Sequence, residues 1–253
     1  MKDIQNQPDF RRINIRKVGV KNIIYPLTVL DKKNATQKTV ASVNMYVNLP
    51  HHFKGTHMSR FIEILNRFHG EIHLKNFHII LAAMKERLQA EAAHLEIDFP
   101  YFLRKTEGGG ATTVEYQCAM HGSLDTKDDL VLTVRVPIYP PSPTQTAHGL
   151  PKSLGHWGYA SVSVRLEHFI WIEDLIRTIE GVTNHNLCWA DGDSPGAGER
   201  LEVEGIAKAL GQALREHSAI RWFELCVKNY SEGCNTFTSL AWPEIRSSEA
   251  PRH

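Results

Sequence analysis

The chain has 253 residues, 42% of them hydrophobic, enough for one large domain or two small ones with a buried core. A formal net charge of +1 excludes a broad polyanion-binding surface, so nucleic acid is not an expected partner and any phosphate affinity must be local. Cys118, Cys188, Cys226 and Cys234 form no C-x-x-C pair, no apolar run approaches the ~20 residues of a membrane span, and Met1-Lys2-Asp3-Ile4-Gln5 lacks the apolar core of a signal peptide; together these place the expected location in the cytoplasm.

Residues 1–16 are polar and read as irregular. Residues 18–29 read as a strand, and residues 37–49 alternate more cleanly, with Val43, Met45, Val47 and Leu49 on one face. Two helices follow. Residues 57–68 carry Met58, Phe61, Ile62 and Leu65 at helical spacing, and residues 75–93 do so with Phe77, Ile80, Leu81, Met84 and Leu88. Strands at 95–105 and 112–121 flank Gly108-Gly109-Gly110. The order then repeats: strands at 129–138 and 157–168, helices at 170–182 and 200–216, strands at 220–230 and 235–242. The strand at 157–168 puts Tyr159, Ser161, Ser163 and Arg165 on one face and Ala160, Val162, Val164 and Leu166 on the other. The predicted organisation is α+β, with tandem ββααββ units at 17–122 and 128–245 and a tail at 246–253. Each unit is expected to be an antiparallel sheet with two helices on one face.

The stretch from His51 to Glu63 is ordered as a strand end, a basic histidine-rich turn and a helix start. A helix N-terminus offers unpaired N–H groups and a positive dipole end, which suits a phosphate. His57 and Arg60, three apart, add donors on one face. The same residues equally suit a basic surface turn that caps a helix. Fourteen histidines keep metal chemistry open.

Leu49-Pro50 followed by Lys54-Gly55-Thr56-His57-Met58-Ser59-Arg60-Phe61 resembles the signature of the type IB GTP cyclohydrolases, metal-dependent enzymes of the tunnelling-fold superfamily that open the guanine ring on the way to folate. The resemblance runs from about Val18 to Ile245 and includes Phe99-Pro100-Tyr101-Phe102, Lys105 and Arg221-Trp222-Phe223-Glu224. It implies a tunnelling fold, a homo-oligomer (dimer or tetramer) with sites between subunits, and a divalent metal such as Zn, Mn or Fe. It also implies phosphate contacts from His57, Ser59 and Arg60, and a helix glutamate, Glu204 in Val203-Glu204, that clamps the N–C–N edge of the base.

The ligands implied by the family are a cysteine, two histidines and a glutamate. After Val136-Pro137-Ile138, Ser142 stands where the cysteine is expected, and a neutral hydroxyl is a poor substitute for a thiolate. His156 in Gly155-His156-Trp157 matches the first histidine, with a strand-capping histidine as the alternative. His148 is a spare imidazole in the same loop, or a surface histidine. Glu199 in Gly198-Glu199-Arg200 matches the glutamate, or is an acidic helix start. The second ligand histidine belongs to a His-Asn-His in the family; here Asn235 is kept, both histidines are gone, and Cys234 falls at the first histidine of that triplet. The catalytic set implied is therefore His156, Glu199, Ser142 and Cys234, with His156, Glu199, Cys234 and His148 around the metal. His185 and Cys188, three apart, are a weaker ligand pair. The implied activity is hydrolytic opening of the guanine ring of GTP. The alternatives are a paralogue acting on another purine-, pterin- or heterocycle-like molecule, and a non-catalytic binding protein.

Overall fold

The computed structural model describes residues 15–50, 57–68, 71–74, 76–107, 110–138, 158–183, 203–230 and 234–243. Among them are eight strands and four helices in the order β1 (Ile15–Asp31), β2 (Ala35–Leu49), α1 (Met58–Arg67), α2 (Phe77–Arg87), β3 (Ala92–Glu107), β4 (Gly110–Leu124), β5 (Asp128–Ile138), β6 (Gly158–Leu166), α3 (Ile172–Thr183), α4 (Val203–Glu216), β7 (Ile220–Tyr230) and β8 (Asn235–Trp242). This is the doubled ββααββ order that hydrophobic period predicts. The chain forms two compact units, Met1–Leu132 and Thr133–His253, and the division falls inside β5.

In the first unit β1 pairs with β2, β2 with β3 and β3 with β4, all antiparallel. Strict alternation buries Val43, Met45, Val47 and Leu49 of β2 and Leu95, Ile97, Phe99 and Tyr101 of β3. Phe61, Ile64 and Leu65 of α1 and Phe77, Ile80, Leu81 and Met84 of α2 are buried as well, which makes this the helix-covered face. Burying each of these large side chains contributes about 1.5–3 kcal/mol. The helix expected over 75–93 is shorter than predicted. Its backbone turns into the left-handed region at Gln89, with φ 50, so α2 closes after Arg87 and β3 starts at Ala92.

In the second unit β6 pairs with β7 and β7 with β8, again antiparallel. Ala160, Val162, Val164, Phe223, Leu225 and Val227 form the buried sheet face. Leu175, Ile176 and Ile179 of α3 and Ile206, Ala207, Leu210 and Leu214 of α4 are buried too, and α4 packs on α3, β7 and β8. Phe223 stacks on Trp242 at 5.9 Å between ring centroids. No helix among the described residues is long and apolar enough to cross a membrane.

Two glycines make a paired test of this packing. A Cβ on Gly158, the first residue of β6, would overlap the Lys228 carbonyl of β7, so only glycine allows the strands to close there. Gly181 in α3 faces open space. Gly158→Ala is expected to destabilise by about 1–3 kcal/mol, whereas Gly181→Ala stabilises by about 0.5–1 kcal/mol. Urea unfolding of the two variants checks both signs.

Candidate functional site

The family resemblance implies phosphate contacts at the start of α1. His57 sits at the N-cap position with φ −74 and ψ 122, and its carbonyl accepts the Arg60 N–H at 3.1 Å. Its side chain makes no capping hydrogen bond, and the first turn of α1 holds no acidic residue. The dipole end is therefore not neutralised from within that turn. Ser59 is exposed, and His57 and Arg60 are partly exposed. The basic turn at 51–56 lies outside the described residues.

Glu204 lies in the first turn of α4. Its neighbours Val203 and Ile206 are buried, and this periodicity turns Glu204 outward, where it is exposed on the single chain. Cys234 is exposed and immediately precedes β8. Ser142, His148, His156 and Glu199 lie outside the described residues, as do His185 and Cys188. Among the described residues no three His, Cys, Asp or Glu side chains are close enough to hold a metal ion. Cys118, Cys226 and Cys234 are not joined in disulfides.

Gly158 pairs with Asn229, and Tyr230 pairs with Asn235, so the first residues of β6 and β8 lie at one end of the sheet in the second unit.

Two side-chain clusters on the helix-free faces escaped the motif reading. In the first unit the Tyr46 hydroxyl donates to Glu96 Oε1 at 2.7 Å, and Asn44 Nδ2 donates to Glu96 Oε2 at 2.9 Å. Tyr46 stacks on His94 at 4.7 Å, and the Lys17 ammonium lies 3.6 Å from the centre of the Tyr46 ring. Burial pulls the Glu96 carboxyl upward, but the Tyr46 and Asn44 donors, with the charges of His121 and Lys17, outweigh it and hold the pKa below the usual carboxylate range. Burial, followed by its bond to Glu96, pushes the Tyr46 phenol up. Burial and the nearby Lys17 charge lower the His94 imidazole. The Asp98 carboxylate, 3.9 Å from His121 Nε2, raises that imidazole against its own burial.

In the second unit the Arg135 guanidinium covers the Tyr159 ring at 3.5 Å and donates to the Tyr230 hydroxyl at 2.9 Å. Arg165 lies over Trp222 at 4.1 Å. The signal for both clusters was the polar half of each alternating strand. Trp222 apart, which falls in the Arg221-Trp222-Phe223-Glu224 stretch, no motif marks these residues, because they are far apart in the chain and meet only through strand pairing.

Comparison with known proteins bears on what these units do. The family model described as "Type I GTP cyclohydrolase folE2" matches residues 1–189. The chain belongs to this family. A curated relative, the GTP cyclohydrolase FolE2 of Syntrophus aciditrophicus (strain SB), is 41% identical over 254 residues, which cover 96% of this chain and 99% of that protein. The FolE2 of Geobacter metallireducens is 43% identical over 243 residues, covering 91% of this chain and 92% of the relative. Among solved structures, a highly active mutant of Bacillus sp. TB-90 urate oxidase superposes with a TM-score of 0.56 at 7% identity, covering 90% of this chain and 99% of that one. At that identity the match shows the fold alone. It is consistent with the tunnelling fold that the family resemblance implies.

The His121–Asp98 pair has a pH signature. Because the folded-state pKa of His121 is raised, its contribution is fully present below the unfolded imidazole value of about 6.5 and is lost as pH rises through the folded value. Both side chains are about half exposed, so screening keeps the contribution small. NMR titration of the His121 ring is expected to show a raised pKa that falls back in Asp98→Asn.

Proposed function

We propose that this protein is a metal-dependent GTP cyclohydrolase that opens the guanine ring of GTP, the first step toward folate and pterins, and works in the cytoplasm as a homo-oligomer with sites between subunits. The observation that carries the reading is family membership over nearly the whole chain, with 41% identity to a FolE2 protein. Charge balance and cysteine usage are consistent with it.

In this reading the Glu204 carboxylate accepts hydrogen bonds from the N–H groups along the amidine edge of guanine. Its exposure on the single chain leaves it accessible to a ligand or to a neighbouring subunit. His57, Ser59 and Arg60 meet the phosphates at the uncapped start of α1. The imidazole, carboxylate and thiolate donors of His156, His148, Glu199 and Cys234 form a set whose chemistry suits a divalent Zn, Mn or Fe ion. Such an ion, when bound, polarises the target and lowers the pKa of water. Cys234 meets one requirement of a thiolate ligand, since its sulfur-bearing residue is exposed.

Incubation with GTP and each divalent metal in turn is expected to yield a product that oxidises to a fluorescent pterin. A flat signal across all metals rejects the reading. Glu204→Gln is expected to lower kcat/KM by about a hundredfold, because it leaves the base edge without its charged acceptor; steady-state kinetics with GTP measures this.

One sequence observation favours a second reading. Ser142 stands where the family resemblance expects a metal-binding cysteine, which suits a paralogue with altered chemistry on a related heterocycle. Elemental analysis of the purified protein separates the two. The cyclohydrolase reading expects a stoichiometric divalent ion that is lost in Cys234→Ala.

A further inference from the structure

The helix-free face of the second unit carries a group of cations and rings that the proposed chemistry does not use. Tyr159 of β6 pairs with Lys228 of β7, and Lys228 pairs with Phe237 of β8. Directly opposed residues of antiparallel strands share a face, so these three side chains form one row across three strands. Tyr230 lies two residues beyond Lys228, hence on the same face. Arg135 of β5 completes the group by covering Tyr159 at 3.5 Å and donating to the Tyr230 hydroxyl at 2.9 Å. Tyr159 and Tyr230 lie 5.7 Å apart, and the Lys228 ammonium is 5.9 Å from the Tyr159 ring.

Two properties set this group apart from ordinary surface. Among the described residues neither Arg135 nor Lys228 has a carboxylate within ion-pair distance; their contacts are aromatic faces and one phenol. The rings are also uncovered: Phe237 is 63% exposed and Tyr230 46%. The Tyr159 ring supports Arg135 from one side and Tyr230 anchors one nitrogen, so the guanidinium is fixed in direction, and among the described residues its hydrogen bond to Tyr230 uses one of its five donors. Two cations that lack a counter-charge among the described residues, set beside exposed rings, fit a ligand that carries both a polyanion and an aromatic ring system.

We propose that Arg135, Lys228, Tyr230 and Phe237, on the platform of Tyr159, form a subsite for a purine nucleoside triphosphate, in which the two cations meet the phosphate chain and the exposed rings meet the base or sugar. The proposal rests on the reading of GTP as substrate and adds a recognition element from the second unit. The Tyr230–Asn235 pairing places this subsite at the sheet end where Cys234 enters β8. Arg135 and Lys228 here select the ligand and orient it; they take no part in bond making or breaking.

Calorimetric titration of GTP, guanosine and inorganic tripolyphosphate into the full-length protein tests the subsite. Arg135→Gln is expected to weaken GTP and tripolyphosphate about tenfold and to leave guanosine unchanged, with partial recovery in Arg135→Lys. Phe237→Ala is expected to weaken GTP and guanosine and to spare tripolyphosphate. Lys228→Gln repeats the charge test at an independent position should Arg135→Gln fold poorly by circular dichroism. Wild-type affinities unchanged in all of these variants, or no binding by the wild type, overturns the subsite. Turnover separates the two claims. If the wild type converts GTP and the variants keep its KM, the subsite is wrong and the cyclohydrolase reading stands. If no metal supports turnover but the variants lose GTP affinity in the expected pattern, the subsite stands and the hydrolytic reading falls.

Discussion

Each unit depends on burying one face of its antiparallel sheet. Val43, Met45, Val47, Leu95 and Ile97 in the first unit, and Val162, Val164, Leu225 and Val227 in the second, are almost wholly removed from water. Because side chains on a strand alternate with period two, burying this set forces the intervening residues onto the opposite face. A slip of one residue in register would exchange the faces, putting the Tyr46–Glu96 bond and the Arg135–Tyr159 stack into the apolar layer. Apolar burial therefore holds the register, and the register assembles both polar clusters.

The two helix-free faces use the same geometry for different chemistry. In the first unit an acid is at the centre: each Glu96 oxygen accepts one hydrogen bond, from Tyr46 and Asn44, and the charges of His121 and Lys17 lie close by. A network of this kind holds its members in place. In the second unit a cation is at the centre, and its partners are rings and one phenol. A guanidinium held in this way keeps its charge available. Residues in similar sheet positions thus form a carboxylate-centred hydrogen-bond network in one unit and an exposed cation–aromatic group in the other.

The helix termini carry the remaining chemistry. At the starts of α1 and α4, Ser59 and Glu204 are exposed, while Phe61 and Ile64 of α1 and Val203, Ile206 and Ala207 of α4 are buried. One presents N–H groups and basic side chains, the other a carboxylate. In the function proposed above, the first meets phosphates and the second the N–H edge of the base.

The sequence alone determined the doubled order of elements, the antiparallel α+β class and the family, because hydrophobic period is a local property and Gly55-Thr56-His57-Met58-Ser59-Arg60 is one continuous motif. Element limits were less legible: the end of α2 depends on the left-handed backbone at Gln89, which no apolar spacing announces. Glu204, His57, Ser59 and Arg60 could be named from motifs, but their exposure could not, since it depends on which helical face packs inward. Only the tertiary structure decided the Tyr46–Glu96 and Arg135–Tyr159–Tyr230 clusters. Their members are 50 and 95 residues apart at the ends of the two long-range bonds, and pairing of distant strands is what sets them side by side.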